Sequence, residues 1–140
     1  HGVMRYMCLP GQLELKIQKI AEKCGCGAEL WPDADKYDVK ITLPDGQVWA
    51  IDAKTHRNPY MLKKSIKNDY VFTHTKAQKV FYVVPDDCLT DYPDYCKICN
   101  DALASSFPDS IAKCVSMRNF SKELKGEVED VKLRNYQKKS

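Results

Sequence analysis

Two apolar runs flanking Pro44-Asp45-Gly46 constrain this chain more than any other feature. Tyr37 to Leu43 alternates. Val39, Ile41 and Leu43 fall on one face and Asp38, Lys40 and Thr42 on the other, the pattern of a half-exposed strand. Gln47 to Lys54 follows. Its apolar residues Val48, Trp49, Ala50, Ile51 and Ala53 occupy both faces, as a central strand requires. The turn between the runs sets their register. Pro44 suits the first central position of a type I turn, Asp45 the second, and Gly46 the left-handed position after it. That is a three-residue hairpin loop with a bulge. Ile41 then faces Trp49, Val39 faces Ile51 and Asp38 faces Asp52. The alternative is a two-residue type I′ turn on Asp45-Gly46. It shifts parity, carries Asp52 away from Asp38 and leaves Pro44 awkwardly inside the ladder.

The favoured register sets two carboxylates opposite each other with Cβ atoms about 5 Å apart. Two like charges at that distance, in an effective dielectric near 20, repel by roughly 3 kcal/mol. A chain selected only for stability would avoid the pairing, so a bound cation, a shared proton or full hydration is expected to offset it. Asp52, Lys54 and His56 share one face by the strand period of two. An ammonium group therefore lies one step from the facing carboxylates. Paired carboxylates are hard oxygen ligands suited to Mg²⁺. A metal so held can generate hydroxide and hold a phosphoryl oxygen. The lysine can steer the attacking water or stabilise charge on phosphorus. The bland alternative for Asp52 and Lys54 is a surface ion pair worth about 0–1 kcal/mol.

The remaining pattern surrounds this hairpin with helices and further strands. Gly11 to Lys23 carries Leu13, Ile17, Ile20 and Ala21 at helical spacing, and Gly25-Cys26-Gly27 ends it. Ala28 to Trp31 reads as a short strand and Pro32 to Asp35 as a loop. Asn58-Pro59 starts a helix to about Asn68, with Met61, Leu62 and Ile66 inward. Val80 to Val84 is an apolar strand closed by Pro85. Cys99 to Ser106 reads as a helix and Ile111 to Met117 as a last strand. From Lys122 to Ser140 the chain is a charged tail or one exposed helix. The sum is an α/β domain with a mixed central sheet flanked by helices.

The length of 140 residues fits one domain, and 44% apolar with 29% charged residues is ordinary for a soluble globular fold. No apolar run is long enough to span a bilayer, there is no signal peptide, and no membrane partner is expected. The start, His1-Gly2-Val3-Met4, reads as a cut from a longer chain. The net charge of +3 is compatible with nucleic acid without arguing for it. The basic residues cluster from His56 to Asp69 and from Lys132 to Lys139. His56, Arg57, Lys63, Lys64 and Lys67 could track a nucleic-acid backbone, or form a solvated helix face. Tyr60 could stack on a base, whereas Trp49, opposite Ile41, belongs in the core.

Seven cysteines cannot all pair internally, which points to a reducing, cytoplasmic compartment. Cys96-Lys97-Ile98-Cys99 is a C-x-x-C, with Cys88 before it and Cys114 after; Cys24-Gly25-Cys26 is a C-x-C. Cys88, Cys96, Cys99 and Cys114 could hold a structural Zn²⁺. Buried free thiols and a redox pair are the other readings.

Asp38, then Asp52-Ala53-Lys54 at the end of an apolar strand, after a helix carrying Glu14, resembles the PD-(D/E)xK nuclease superfamily. The likeness spans about Gly11 to Val84. It implies a restriction-endonuclease-like core in the order αβββαβ and a metal-dependent endonuclease, with DNA as the expected substrate. By that resemblance Asp38, Asp52 and the Ala53 carbonyl would bind Mg²⁺ or Mn²⁺. Lys54 would be the catalytic lysine, and Glu14 the first-helix acid some members use. Pro32-Asp33 stands five residues before Asp38 rather than adjacent to the strand. The compact domain with its DAK sequence is most similar to nuclease modules of prokaryotic defence systems, in particular the one associated with PIWI-type proteins. Other domains of the parent protein or defence-system subunits are then expected partners, and a dimer is compatible with the sequence. Two other functions fit the residues: a nuclease fold that binds nucleic acid without cutting it, and a zinc-stapled interaction domain.

Overall fold

The computed structural model describes residues 11–31 and 37–139, with side chains to residue 136. Helix α1, Gln12–Lys23, buries Leu13, Ile17 and Ala21, which recur every four residues on one stripe. It ends where the Cys24 N–H folds back on the last carbonyls and Gly25 takes φ +85°. Strand β1, Gly27–Leu30, follows at once. The expected loop at Pro32 to Asp35 lies outside the described residues.

Strands β2 (Val39–Thr42) and β3 (Val48–Ala53) form the hairpin. The Gly46 N–H donates to the Leu43 carbonyl and the Leu43 N–H to the Gln47 carbonyl, each at 2.9 Å. Gly46 sits at φ +94°. This is the three-residue loop, and Ile41 pairs with Trp49 and Val39 with Ile51. The two-residue turn is excluded.

After β3 come α2 (Pro59–Ile66), α3 (Tyr70–Thr73), β4 (Lys79–Val84), α4 (Cys88–Asp91), α5 (Tyr95–Ser106), β5 (Lys113–Ser116) and α6 (Met117–Lys139). The sheet runs β1-β2-β3-β4-β5 in space. Its first three strands are antiparallel, and β3-β4 and β4-β5 are parallel. Strand β3 thus sits mid-sheet, and Trp49, Ala50, Ile51 and Asp52 are all buried. One sheet face packs α1 and α6 through Ile17, Trp49, Ile51, Phe81, Phe120 and Leu124. The other packs α2 and α5 through Leu62, Ile66, Tyr82, Cys99 and Leu103. The mixed sheet with helices on both faces is the α/β architecture expected from the pattern.

Four expectations need correction. Met61 is 55% exposed, because Leu62 and Ile66, one turn apart, take the inward stripe of α2 and turn Met61 to solvent. The charged tail is not an exposed helix. Its helix begins at Met117 and buries Phe120, Leu124, Val128 and Val131, spaced four, four and three apart. Helix α5 starts at Tyr95 rather than Cys99, so the whole C-x-x-C is helical. Strand β5 is only Lys113–Ser116, and Met117 opens α6. Helices α3 and α4, four residues each, are too short to show a period and were absent from the sequence pattern.

Candidate active site

Asp38 lies immediately before β2 and Asp52 one residue before the end of β3, so the turn chemistry at Pro44-Asp45-Gly46 brings them together. The Asp38 N–H donates to the Ile51 carbonyl at 3.2 Å, one step off the register, because Ile51 is the ladder partner of Val39. The Asp38 Oδ2 accepts the Ala53 N–H at 2.8 Å. The carboxylate thereby ties down the backbone at the end of the neighbouring strand. The carboxyls of Asp38 and Asp52 also share a hydrogen bond.

Asp52 is only 8% exposed. Burial pushes its carboxyl up to about 7; the Lys54 ammonium opposes this, and the Asp38 charge and hydrogen bond add to it. Burial also raises Asp38, against the hydrogen bonds from Asp52 and Ala53. Both carboxyls are raised, and a proton held on Asp52 relieves the like-charge conflict. The Lys54 Nζ stands 3.1 Å from Asp52 Oδ2. Its backbone N–H bonds to the Val83 carbonyl at 2.9 Å, so the lysine is fixed by β4 as well as by its strand. Glu14, in the first turn of α1, is half-buried and near enough for its charge to raise Asp38.

Among the described residues, no group of three or more His, Cys, Asp or Glu side chains converges on a common point for a metal ion. The Asp38–Asp52 pair is two hard carboxylates with the Ala53 backbone beside them, a donor chemistry that fits Mg²⁺ or Mn²⁺.

The remaining expected contacts divide. The chain leaves the sheet after Ala53, and His56 is exposed. Its carbonyl is held from below by the Tyr95 hydroxyl and, at 3.8 Å, the Cys88 thiol. Arg57 pairs with Asp87 at 2.9 Å and Asp91 at 3.2 Å, so its charge is already matched. Lys63, Lys64 and Lys67 stand exposed on or just after α2. Tyr60 is 54% exposed and Trp49 fully buried. The Pro32-Asp33 pair lies outside the described residues.

Tyr82 and Asp69 are neighbours that sequence reasoning did not reach. Asp52 pairs with Tyr82 across the parallel β3-β4 ladder, and the Tyr82 hydroxyl donates to Asp69 Oδ2 at 2.6 Å. The apolar run of β4 carried a single hydroxyl, which was the available signal; its partner strand was not readable.

Two clefts open on the described surface, and neither is lined by Asp38, Asp52 or Lys54. One, of about 430 Å³, is lined by Tyr37, Lys40, His74 and Lys76. The other, of about 470 Å³, is lined by Gln12, Lys16, Thr55 and Arg57.

No significant match was found among curated proteins or among solved structures. A family model described as a REase associating with pPIWI_RE matches residues 11–132. That span holds both facing aspartates, Lys54, Glu14 and every strand of the sheet. The chain belongs to this family of restriction-endonuclease-like domains.

Proposed function

We propose that this domain hydrolyses phosphodiester bonds of nucleic acid, DNA in particular, with Mg²⁺ or Mn²⁺, in prokaryotic defence alongside a pPIWI_RE partner. The observation that carries the reading is the buried Asp38–Asp52 pair with Lys54 Nζ 3.1 Å from Asp52. Asp38, Asp52 and the Ala53 carbonyl would hold the cation. When bound, it supplies a Lewis acid for the phosphoryl oxygen and the attacking water.

The protein's own groups do the rest. Ionised Asp38 and Asp52 are acceptors only, so they orient donors placed between them. The Lys54 ammonium, 3.1 Å from Asp52 Oδ2, would position water and stabilise charge growing on the phosphoryl oxygens. Glu14, whose charge reaches Asp38, adds a further acceptor. Lys40 and Lys76 in one cleft and Lys16 in the other offer positive charge to a nucleic-acid backbone.

The test is cleavage of single- and double-stranded DNA and RNA with Mg²⁺, Mn²⁺ or EDTA. Lys54→Ala and Asp52→Ala, folded by circular dichroism, are expected to lose at least about 100-fold in rate. Full cleavage by Lys54→Ala overturns the assignment. Salt-sensitive binding with no cleavage at any metal identifies a binding module instead.

A further inference from the structure

We infer that Cys96 and Cys114 are a reversible thiol–disulfide modification site whose reactant is a low-molecular-weight disulfide. The proposal is independent of the nuclease reading. Cys96 is the second residue of α5 and Cys114 lies in β5, yet their sulfurs stand 3.9 Å apart. The contact is held in register by Asn100, one turn along α5. Its amide donates to the Cys114 carbonyl at 3.0 Å and accepts the Cys114 N–H at 2.7 Å. Strand and helix are therefore clamped beside the sulfur pair. Forming a bond needs the sulfurs to close to about 2.05 Å.

The Cys99 thiol also lies beside Cys114, but the other contacts of the neighbouring thiols differ. The Cys88 thiol points at the His56 carbonyl and the Cys99 thiol at the Pro59 carbonyl, each at 3.8 Å. Cys88, Cys99 and Cys114 are buried, whereas Cys96 is half-exposed. Cys96 is thus the member a small reagent can reach. It also lies in the first turn of a 12-residue helix, where a thiolate is favoured. Attacking and resolving roles follow from this difference in exposure and from the helix position of Cys96. The C-x-x-C thereby works through its first cysteine and a third, distant one.

The chemistry balances. The Cys96 thiolate attacks one sulfur of a disulfide RS–SR, the S–S bond breaks, and RS⁻ leaves. Cys114, giving its proton to that RS⁻, attacks the Cys96 Sγ and expels the second RS⁻. That anion takes up the proton Cys96 had released. Two protein thiols are oxidised to one disulfide and RS–SR is reduced to two RSH.

The test uses the reduced native chain and oxidised glutathione, followed by alkylation and tryptic mapping. Trypsin separates residues 80–97, 98–113 and 114–118, which carry Cys96 with Cys88, Cys99, and Cys114 respectively. The expected product is a 2 Da lighter chain with 80–97 linked to 114–118 through Cys96. It should be reversed by dithiothreitol, retained in Cys99→Ser and absent in Cys96→Ser. Alkylation of unoxidised Cys96 at pH 7 should run about tenfold faster than that of Cys99. A link through Cys88 or Cys99, a stable glutathione adduct on Cys96, or no native-state reaction would each overturn the assignment. So would one zinc per chain held by these thiols in the purified protein.

Discussion

Asp52 concentrates the cost of the site at a single residue. Its carboxyl titrates near 7 in the metal-free fold, chiefly through burial, against an ordinary value of 3.8. Between those values the native state holds a proton that the unfolded chain has released. Stability therefore falls as pH rises through this window, and is fully retained below it. Asp52→Asn keeps the shape and removes the titration. In EDTA, wild type should lose on the order of 2–4 kcal/mol more than Asp52→Asn between pH 4 and 7.5, read from urea unfolding. Parallel profiles for the two proteins would refute the buried, proton-sharing pair. A divalent cation must displace the same proton, so its binding should strengthen with pH across the window. The pairing itself was legible beforehand, since it follows from one turn and the strand period. The hydrogen bond from the Ala53 N–H to the Asp38 carboxylate was not legible, because it depends on a side-chain rotamer.

At the scale of elements, α6 shows how charge can hide an amphipathic stripe. Lysines and glutamates dominate the segment after Lys122, yet every inward position is apolar. Phe120→Ala should cost about 3–5 kcal/mol and Leu124→Ala about 2–5. Lys125→Ala, on the exposed face, should stay within about 0.5. Denaturant midpoints decide it, and near-zero values for Phe120 and Leu124 would restore the exposed tail. Helix α2 offers the same contrast over one residue step: Leu62→Ala should destabilise strongly and Met61→Ala hardly at all. The first helix was readable because its stripe starts at its first turn. In α2 the neighbours Met61 and Leu62 both read as inward, and only the packing against α5 selected Leu62 with Ile66.

For the whole molecule, the proposed function would make nucleic-acid affinity a collective electrostatic property of the exposed lysines. Lys63, Lys64 and Lys67 replaced together by Ala should weaken binding at low salt and lower the salt slope by about 2–3, whatever the sequence bound. Arg57→Ala should change the slope little, because Asp87 and Asp91 already neutralise it. An equal effect of Arg57 would show that those ion pairs open on binding. The sequence by itself determined the hairpin, its register and the meeting of Asp38, Asp52 and Lys54. Turn residues and strand alternation act over a few positions and need no distant partner. Only the tertiary structure decided which strand lies beside β3, and hence that Tyr82 and Asp69 adjoin Asp52. It alone set Glu14 near Asp38, paired Arg57, and placed Cys96 against Cys114. Parallel pairing and helix docking join residues far apart in the chain, where no local preference specifies the partner.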